Sequence, residues 1–321
     1  MAAPTGTFKT YESIGIREDL TDMIYDISPM DTPFMSNAGR SKARGTFHEW
    51  QTDSLAAATA DNITIEGDDA TTNTASPTTR LGNYTQISDK VARVSRTHEI
   101  VNKAGRKGAM AYDMGKRSKE LKRDIETRLC STQAAVVGTA ATGRECAGIG
   151  AWLWTNQVKK GTAATTVAVT SGAPSTNPTA GTAGTFTEAN LKTAISNCWD
   201  QGGDPNLVMV GSHNKQLASG FSGIATQYRN NPQTGPGTII GAADVYVSDF
   251  GTVNIVASRF SPAANVYVLD MEYWSVAYLD PIKSKPLAKT GHSDRRMIWA
   301  EYTLCAKAPD ASAKVYTTTT S

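Results

Sequence analysis

The chain has 321 residues, and its 32 basic and 30 acidic side chains leave a formal net charge of only +2 at pH 7. A charge this balanced argues against a protein whose main task is to bind nucleic acid, and the length allows two lobes, or one lobe with long extended arms. The sequence starts without a basic patch followed by an apolar run, and no apolar stretch approaches the roughly 20 residues needed to cross a bilayer, so we expect a soluble, cytoplasmic chain without a signal peptide.

Residues 1 to about 45 have the pattern of an arm. Apolar side chains such as Phe8 and Tyr11 are scattered among polar ones, and two prolines within residues 28–33 exclude a continuous helix there. A short helix is predicted before them, over Arg17–Asp26. An arm this apolar needs a partner surface.

The next stretch, Thr46–Thr79, is acidic: it holds six carboxylates and no lysine or arginine, a local charge of −6. Thr46–Gln51 and Asn83–Ser88 have strand patterns, and the polar sequence between them has little to bury. The pattern predicts a long two-stranded excursion over residues 46–90. Because an isolated hairpin is marginally stable in water, we expect it to lie on a neighbour.

From Arg80 to Leu129 the charge reverses, with thirteen basic and six acidic residues, a local charge of +7. After Gly108, apolar residues recur on one stripe with a helical period, and Gly138 is a natural stop. A helix is therefore predicted over residues 109–137. At about 28 residues it is roughly 40 Å long, the spine of the fold.

The second half begins with a Thr-, Ala-, Gly-, Ser- and Pro-rich insertion at residues 161–185, which has no core of its own. Thr187 is predicted to cap a helix that ends at Gly202, and Ser212 to cap a later short helix. The chain is thus predicted to be α+β with sheets of mixed direction. The strands predicted in this half are Leu207–Val210, Val245–Val247, Val253–Val256, Val266–Leu269, Tyr273–Leu279 and Met297–Lys307.

None of the usual catalytic signatures is complete. His48 and His98 each begin H-E-x-x-H, but Thr52 and Asn102 stand where the second zinc ligand belongs. The turn at Ser212 lacks the G-x-S-x-G of a nucleophile elbow, and the acidic residues do not fit a calcium-loop template. We expect no catalytic residue, metal or cofactor.

The cysteines form no C-x-x-C pair, so the sequence contains neither a zinc ribbon nor a redox motif. Isolated thiols are typical of a protein in a reducing compartment. The cysteines are Cys130, Cys146, Cys198 and Cys305.

Four motifs in the first 140 residues occur in a distinctive order and spacing: Arg17–Leu20, Ile27–Phe34, Thr46–Leu55 and Asn83–Ile87. In these motifs the chain resembles tailed-phage major capsid proteins of podovirus type. The second half is similar in layout rather than in motif. The resemblance implies a Hong Kong 97-type capsid fold, with an N-terminal arm, an extended loop, a peripheral domain with a spine helix, and an axial domain around the capsomer centre.

The divisions expected for this chain are the arm at 1–45, the extended loop at 46–90, the peripheral domain with the spine helix at 91–150, the axial domain at 151–280 and a C-terminal return to the peripheral domain at 281–321.

The resemblance also implies a function: a major capsid protein that self-assembles into hexamers and pentamers of an icosahedral shell around double-stranded phage DNA, bound non-specifically on the inner face. The expected partners are many copies of the chain, a separate scaffolding protein, a portal and, optionally, a cement protein, with no membrane. The protein is expected in the virion capsid, assembled in the bacterial cytoplasm. The alternatives are an encapsulin-like nanocompartment of the same fold and, more distantly, a soluble enzyme.

The opposite charges of residues 46–79 and 80–129 lead to the hypothesis that the acidic loop of one subunit lies across the basic region of the next. The basic region facing DNA is the competing explanation. Residues 46–79 contain no lysine, whereas the phage that names the fold cross-links a loop lysine, so non-covalent locking is expected. The candidate interface residues are Phe8, Tyr11, Phe34, Trp50, Asp53, Asp61, Glu66, Asp68, Asp69, Arg93, Arg96, Lys103, Arg106 and Lys107.

Overall fold

The structure is a computed structural model. It describes residues 31–69, 77–159, 167–178, 184–221 and 244–316. The predicted helix Arg17–Asp26 and the arm residues Phe8 and Tyr11 lie outside the described residues.

Helices and strands are numbered in chain order. The helices are α1 (Pro33–Asn37), α2 (Arg96–Ile100), α3 (Ala109–Leu129), α4 (Ile149–Trp152), α5 (Glu188–Asp200) and α6 (Ser212–Ser219). The strands are β1 (Gly39–Lys42), β2 (Phe47–Thr52), β3 (Thr79–Tyr84), β4 (Gln86–Ser95), β5 (Gln157–Lys159), β6 (Val169–Thr170), β7 (Ala173–Pro174), β8 (Leu207–Val210), β9 (Val245–Ser248), β10 (Gly251–Ala257), β11 (Val266–Leu269), β12 (Trp274–Pro286), β13 (Ser293–Ala306) and β14 (Ala313–Tyr316).

A four-stranded sheet in the order β1-β12-β13-β4 forms one half of the fold. Its centre is the long antiparallel pair β12–β13, with β4 antiparallel on one side and β1 parallel on the other. Helix α3 packs on one face of this sheet through Leu121, Ile125 and Leu129, which are fully buried. The apolar stripe that predicted the helix is therefore the stripe that it buries.

The helix α3 starts where the sequence predicted, but its predicted end at residue 137 is wrong. The helix ends at Leu129. Beyond Cys130 the backbone finds partners in other segments, because Ala135 N–H donates to Pro174 O and Val136 exchanges hydrogen bonds with Glu145. Non-local hydrogen bonds thus replace the last two predicted turns of helix.

The N-terminus of α3 is capped from a distance. Gly108 at the cap position has no side chain, and the carboxylate of Glu99 instead accepts the N–H groups of Ala109 and Met110 at 3.0 and 3.1 Å. A negative charge at this position also interacts favourably with the helix dipole.

The second half is a six-stranded sheet in the order β5-β14-β11-β8-β10-β9. Its central strands β8 and β11 are buried on both faces: Met209 and Tyr267 contact the core shared with α3, and Val208 and Val268 contact the core under α5. This is why Leu207–Val210 reads as a continuous apolar run. These predicted strands, the α5 helix and the β9–β10 hairpin are confirmed, as is the α+β class.

Two local predictions differ from the structure. Ser212 is the first residue of α6, and Gly211 occupies the cap position, because the chain turns directly out of β8. The return to the four-stranded sheet starts with Trp274, before the predicted boundary at 281, and β14 then joins the six-stranded sheet. The chain therefore crosses between the sheets once more than the sequence indicated.

Lys314 is a buried amine at the junction of the two halves. It is fully buried on β14, its Nζ donates to the carbonyl of Gly150 on α4, and it lies 4.8 Å from the ring centroid of Tyr316. Burial lowers the pKa of Lys314 to about 7, because the charged form loses its hydration.

We predict that Lys314→Met flattens the dependence of stability on pH. Between pH about 7 and 10.5, the ordinary pKa of lysine, the unfolded chain binds a proton that the native chain does not, so native stability rises with pH across this window. Each unit of pKa difference corresponds to about 1.4 kcal/mol, and methionine removes this dependence while keeping an unbranched side chain. Urea unfolding at pH 7, 8 and 9 measures it.

The exposed residue Lys307 provides the control, since Lys307→Met should keep the wild-type slope. Equal slopes for wild type and Lys314→Met would contradict the assignment.

Candidate intersubunit surfaces

The hairpin β2–β3 leaves the body from a packed base. The strands pair from Phe47↔Tyr84 to Thr52↔Thr79, and the rings of Phe47 and Tyr84 lie 4.5 Å apart. Trp50 is half-buried, with its ring 5.4 Å from that of Trp152. The base of the excursion thus belongs to the core of its own chain.

Asn83 fixes this base. Its side chain is fully buried, and its Nδ2 donates to the carbonyls of Ala147 (3.2 Å) and Leu304 (2.9 Å). Its Oδ1 accepts from Ala147 N–H at 2.9 Å. One side chain thereby ties β3 to β13 and to the segment before α4.

Beyond Thr52 the chain forms what we call the acidic segment, residues 53–69, in which every residue is exposed. Its hydrogen bonds join near neighbours, such as Asp69 N–H to Asp68 Oδ1 at 2.9 Å. Asp68 N–H also donates to Ile65 O, closing a turn in which Gly67 has φ 87°, a conformation that favours glycine. The five predicted interface acids Asp53, Asp61, Glu66, Asp68 and Asp69 all lie here, exposed as expected.

The acidic segment also carries large apolar side chains that the sequence interpretation missed. Leu55, Ile63 and Ile65 are 98%, 82% and 76% exposed, the highest values for large apolar side chains in the described part of the chain. The sequence did contain a signal for them, since three aliphatic residues lie within a polar excursion that was predicted to have no core of its own. Exposed aliphatic groups in an extended segment indicate a surface that a partner covers.

The basic region 80–129 divides into two surfaces. On β4 the side chains alternate: Lys90 reaches Asp124 on α3 at 2.7 Å and Ala92 is buried, whereas Ile87, Val91 and Arg93 are exposed on the opposite side. We call this opposite side, marked by Ile87, Val91 and Arg93, the sheet face. The edge of β4 away from β13 has no strand partner among the described residues.

The other surface is the helix ridge, formed by Lys116, Lys119 and Lys122 on the solvent side of α3. The nearby carboxylates of Asp113 and Glu120 both bind Arg117, at 3.6 and 2.8 Å. The three lysine side chains of the ridge are exposed. The helix separates it from the sheet face.

Phe34 was predicted at an interface, and that prediction is wrong. Phe34 is fully buried in the core of its own chain, with its ring 6.3 Å from that of Trp274. Its N–H donates to the buried carboxylate of Glu126 at 2.7 Å, and Met35 N–H does so at 2.9 Å. Burial raises the pKa of Glu126, and these two backbone hydrogen bonds oppose the rise.

Three of the predicted basic residues form contacts within the chain. Lys103 Nζ donates to the carbonyls at the end of α2, including those of Glu99 and Val101. Arg106 lies 3.1 Å from His98 Nε2 and 5.3 Å from the ring centroid of Tyr112. They hold the turn into α3. Arg93 is exposed, and its Nε donates to Ser293 Oγ on β13 at 3.1 Å. Arg96 and Lys107 are also exposed.

The groups that could carry chemistry are dispersed. His48 lies on β2, where burial lowers its pKa, and His98 lies on α2. All four cysteines are buried free thiols, and burial raises the pKa of Cys146 to about 11 and of Cys198 to about 12. Among the described residues, no cluster of His, Cys, Asp and Glu is placed to hold a metal ion. None of the described helices is long and apolar enough to span a membrane.

Comparison with known proteins gives a consistent result. The family model described as SU10 major capsid protein matches residues 3–320. The major capsid protein of Escherichia phage Phieco32 is 29% identical over 350 aligned residues, covering 99% of this chain and 98% of that protein.

Solved structures show the same fold. The capsid structure of the cyanophage P-SCSP1u is 13% identical with a TM-score of 0.62, covering 95% of this chain and 94% of that one. The capsid of cyanophage A-1(L) is 11% identical with a TM-score of 0.65, covering 98% and 99%. The Hong Kong 97-type fold implied by the sequence motifs is confirmed.

We predict that Asn83→Ala loosens the base of the excursion and destabilises the chain by roughly 1–3 kcal/mol, because buried groups of Ala147 and Leu304 lose their partner. Chemical denaturation gives the free energy, and amide exchange at Ala147 gives the local effect. Asn62→Ala, in the exposed acidic segment, is the matched control. Indistinguishable stabilities would show that Asn83 does not fix the base.

Proposed function

Because this chain belongs to the SU10 major capsid protein family, it is a major capsid protein that forms the icosahedral shell of a tailed phage, and we propose that its copies are joined by the acidic segment of one subunit lying on the sheet face of the next. We further propose that the copies form hexamers and pentamers around double-stranded DNA.

The observation that carries this proposal is the exposure of the acidic segment. It holds five carboxylates and three large aliphatic side chains without packing on its own chain. Covering the aliphatic groups on a second copy contributes about 25 cal/mol per Å² of apolar surface, which supplies most of the affinity. A repeating shell offers each copy a neighbour that can provide the cover.

The sheet face is suited to be the receptor. It combines the exposed aliphatic side chains of Ile87 and Val91 with the guanidinium of Arg93, and Arg96 and Lys107 follow in the same basic region. Exposed charge pairs contribute roughly 0–1 kcal/mol each, so their effect is on register and on the rate of encounter. The acids Asp53, Asp61, Glu66, Asp68 and Asp69 are the complementary groups.

The helix ridge is assigned a different role, facing the packaged DNA. Lysines contact phosphates without reading sequence, as expected for an inner capsid surface. The basic region then contacts both partners: the sheet face contacts the neighbouring subunit, and the helix ridge, on the opposite side of the same layer, contacts DNA. In this arrangement the four-stranded sheet with α3 is the peripheral domain, and the six-stranded sheet is the axial domain around the capsomer centre.

The proposed partners beyond further copies are a separate scaffolding protein, a portal and a cement protein, with assembly in the host cytoplasm. The chain is proposed to have no enzymatic role, since its cysteines are buried and no cluster of His, Cys, Asp and Glu among the described residues is placed to hold a metal ion. The family membership favours a phage head over the nanocompartment alternative.

We predict that purified shells dissociate to monomers on denaturing gels. Residues 46–79 contain no lysine, so this part of the extended loop has no side-chain amine for an isopeptide bond. A ladder of linked subunits that survives boiling in reductant would refute non-covalent locking.

We predict that Asp68→Lys/Asp69→Lys lowers the yield of shells at low ionic strength, because the segment then repels the basic groups Arg93, Arg96 and Lys107 of the neighbouring copy. The deficit should narrow as salt screens the charges over a Debye length of about 10 Å at 0.1 M. Electron microscopy and sedimentation of the purified chain count shells and free subunits. Asp68→Asn/Asp69→Asn should fall between wild type and the lysine variant. Equal yields for all three at every salt concentration would refute the electrostatic part of the proposal.

A further inference from the structure

A cavity of about 320 Å³ opens beside the free edge of β4. Its lining consists of Ile87 on β4 and residues of one turn, namely Val137, Gly138, Thr139, Thr142, Gly143 and Arg144. We call it the edge cavity. None of the basic residues proposed for the interface lines it.

The turn around the edge cavity is held by its own hydrogen bonds. Val136 and Glu145 form a two-way bridge at 2.9 and 3.1 Å, and Thr139 N–H donates to Thr142 O at 2.8 Å. Gly138 has φ 79°, and a Cβ there would lie 2.9 Å from Arg144 N, so the backbone needs glycine at this point. The cavity is therefore preformed in the folded chain.

The walls select an uncharged aliphatic group. Ile87 is 59% and Val137 63% exposed, so both leave apolar surface uncovered at the cavity. Arg144 is already engaged, at 2.7 Å from Glu301 and donating to Thr85 O at 3.3 Å. The lining therefore offers apolar surface and a charge that is already neutralised, so a carboxylate gains little by entering.

We infer that the edge cavity of one subunit receives Ile63 and Ile65 from the acidic segment of a second copy. This deepens the proposed function and rests on it. The two isoleucines are 82% and 76% exposed on their own chain, so they do not fill their own cavity. They precede the turn closed by Gly67 and are two positions apart, a spacing that places side chains on one side of an extended chain.

The sizes agree. An apolar cavity of roughly 150 Å³ holds a benzene-sized group, so the edge cavity has room for one or two aliphatic side chains. Leu55 lies close to the end of β2 and away from the turn, so it is not assigned to the cavity. The acids on either side of the two isoleucines, Asp61 and Glu66, remain at the rim, where neighbouring bases and solvent are available.

Cysteine cross-linking tests the assignment, because the four native thiols are buried. Ile63→Cys and Val137→Cys are placed on separate chains, co-assembled and oxidised as purified shells. The expected result is a dimer band on a non-reducing denaturing gel that disappears with reductant. The double variant Ile63→Cys/Val137→Cys should extend this band to a ladder.

The matched control pairs Ile63→Cys with Val101→Cys, since Val101 is 54% exposed on the same half of the fold but away from the cavity. Shells that form normally but cross-link the 63/137 pair no more than the 63/101 pair would overturn the inference while leaving the proposed function intact. A double variant that yields only an internally linked monomer would also overturn it. If the wild-type chain forms no shells, the proposed function itself fails.

A second variant keeps the inference testable if cysteine shells are scarce. Val137→Asp places a charge in the cavity and should lower shell yield roughly tenfold, equivalent to ~1.4 kcal/mol, without changing the unfolding temperature of the subunit. Val101→Asp should leave the yield unchanged. Equal yields for the two variants would count decisively against the cavity as a docking site.

Discussion

The hydrogen bonds of Asn83 determine where the excursion leaves the body, and the geometry of the proposed contacts depends on them. Its amide joins β3 to Leu304 on β13 and to Ala147. Ala147 follows closely after the turn that lines the edge cavity. The buried side chain of Asn83 thus ties the base of the excursion to the segment that follows the turn of the edge cavity. Every copy of the chain therefore presents its acidic segment and its edge cavity in the same relative position, as a repeating shell requires.

The distribution of polar groups follows from the layered architecture. Helix α3 covers one side of the four-stranded sheet, and its lysines lie on the side away from the sheet. The other side of β4 keeps Ile87 and Val91 exposed. A balanced net charge therefore conceals two surfaces of different character, one of ammonium groups and one with aliphatic and guanidinium groups together. The first suits a polyanion and the second suits another protein surface.

Several features could be predicted because they depend on local sequence. The runs Leu207–Val210 and Val266–Leu269 are apolar at every position, and both proved to be buried on both faces. The start of α3 and the acidic excursion followed from periodicity and charge. The end of α3 could not be predicted, since residues 130–136 have helical periodicity but Ala135 and Val136 bond to Pro174 and Glu145 outside the helix. Phe34 was misassigned because a buried aromatic and an exposed one look alike in sequence.

The sequence by itself determined the family, the α+β class and the opposite charges of residues 46–79 and 80–129, because motifs, periodicity and charge are properties of consecutive residues. Only the tertiary structure decided which of those charges are available. It directs Lys103 and Arg106 into the turn before α3 and separates the helix ridge from the sheet face. It also forms the edge cavity from Ile87 and Val137. These relations join residues far apart in the chain, and burial and hydrogen bonding between such residues are set by the packing of the whole fold.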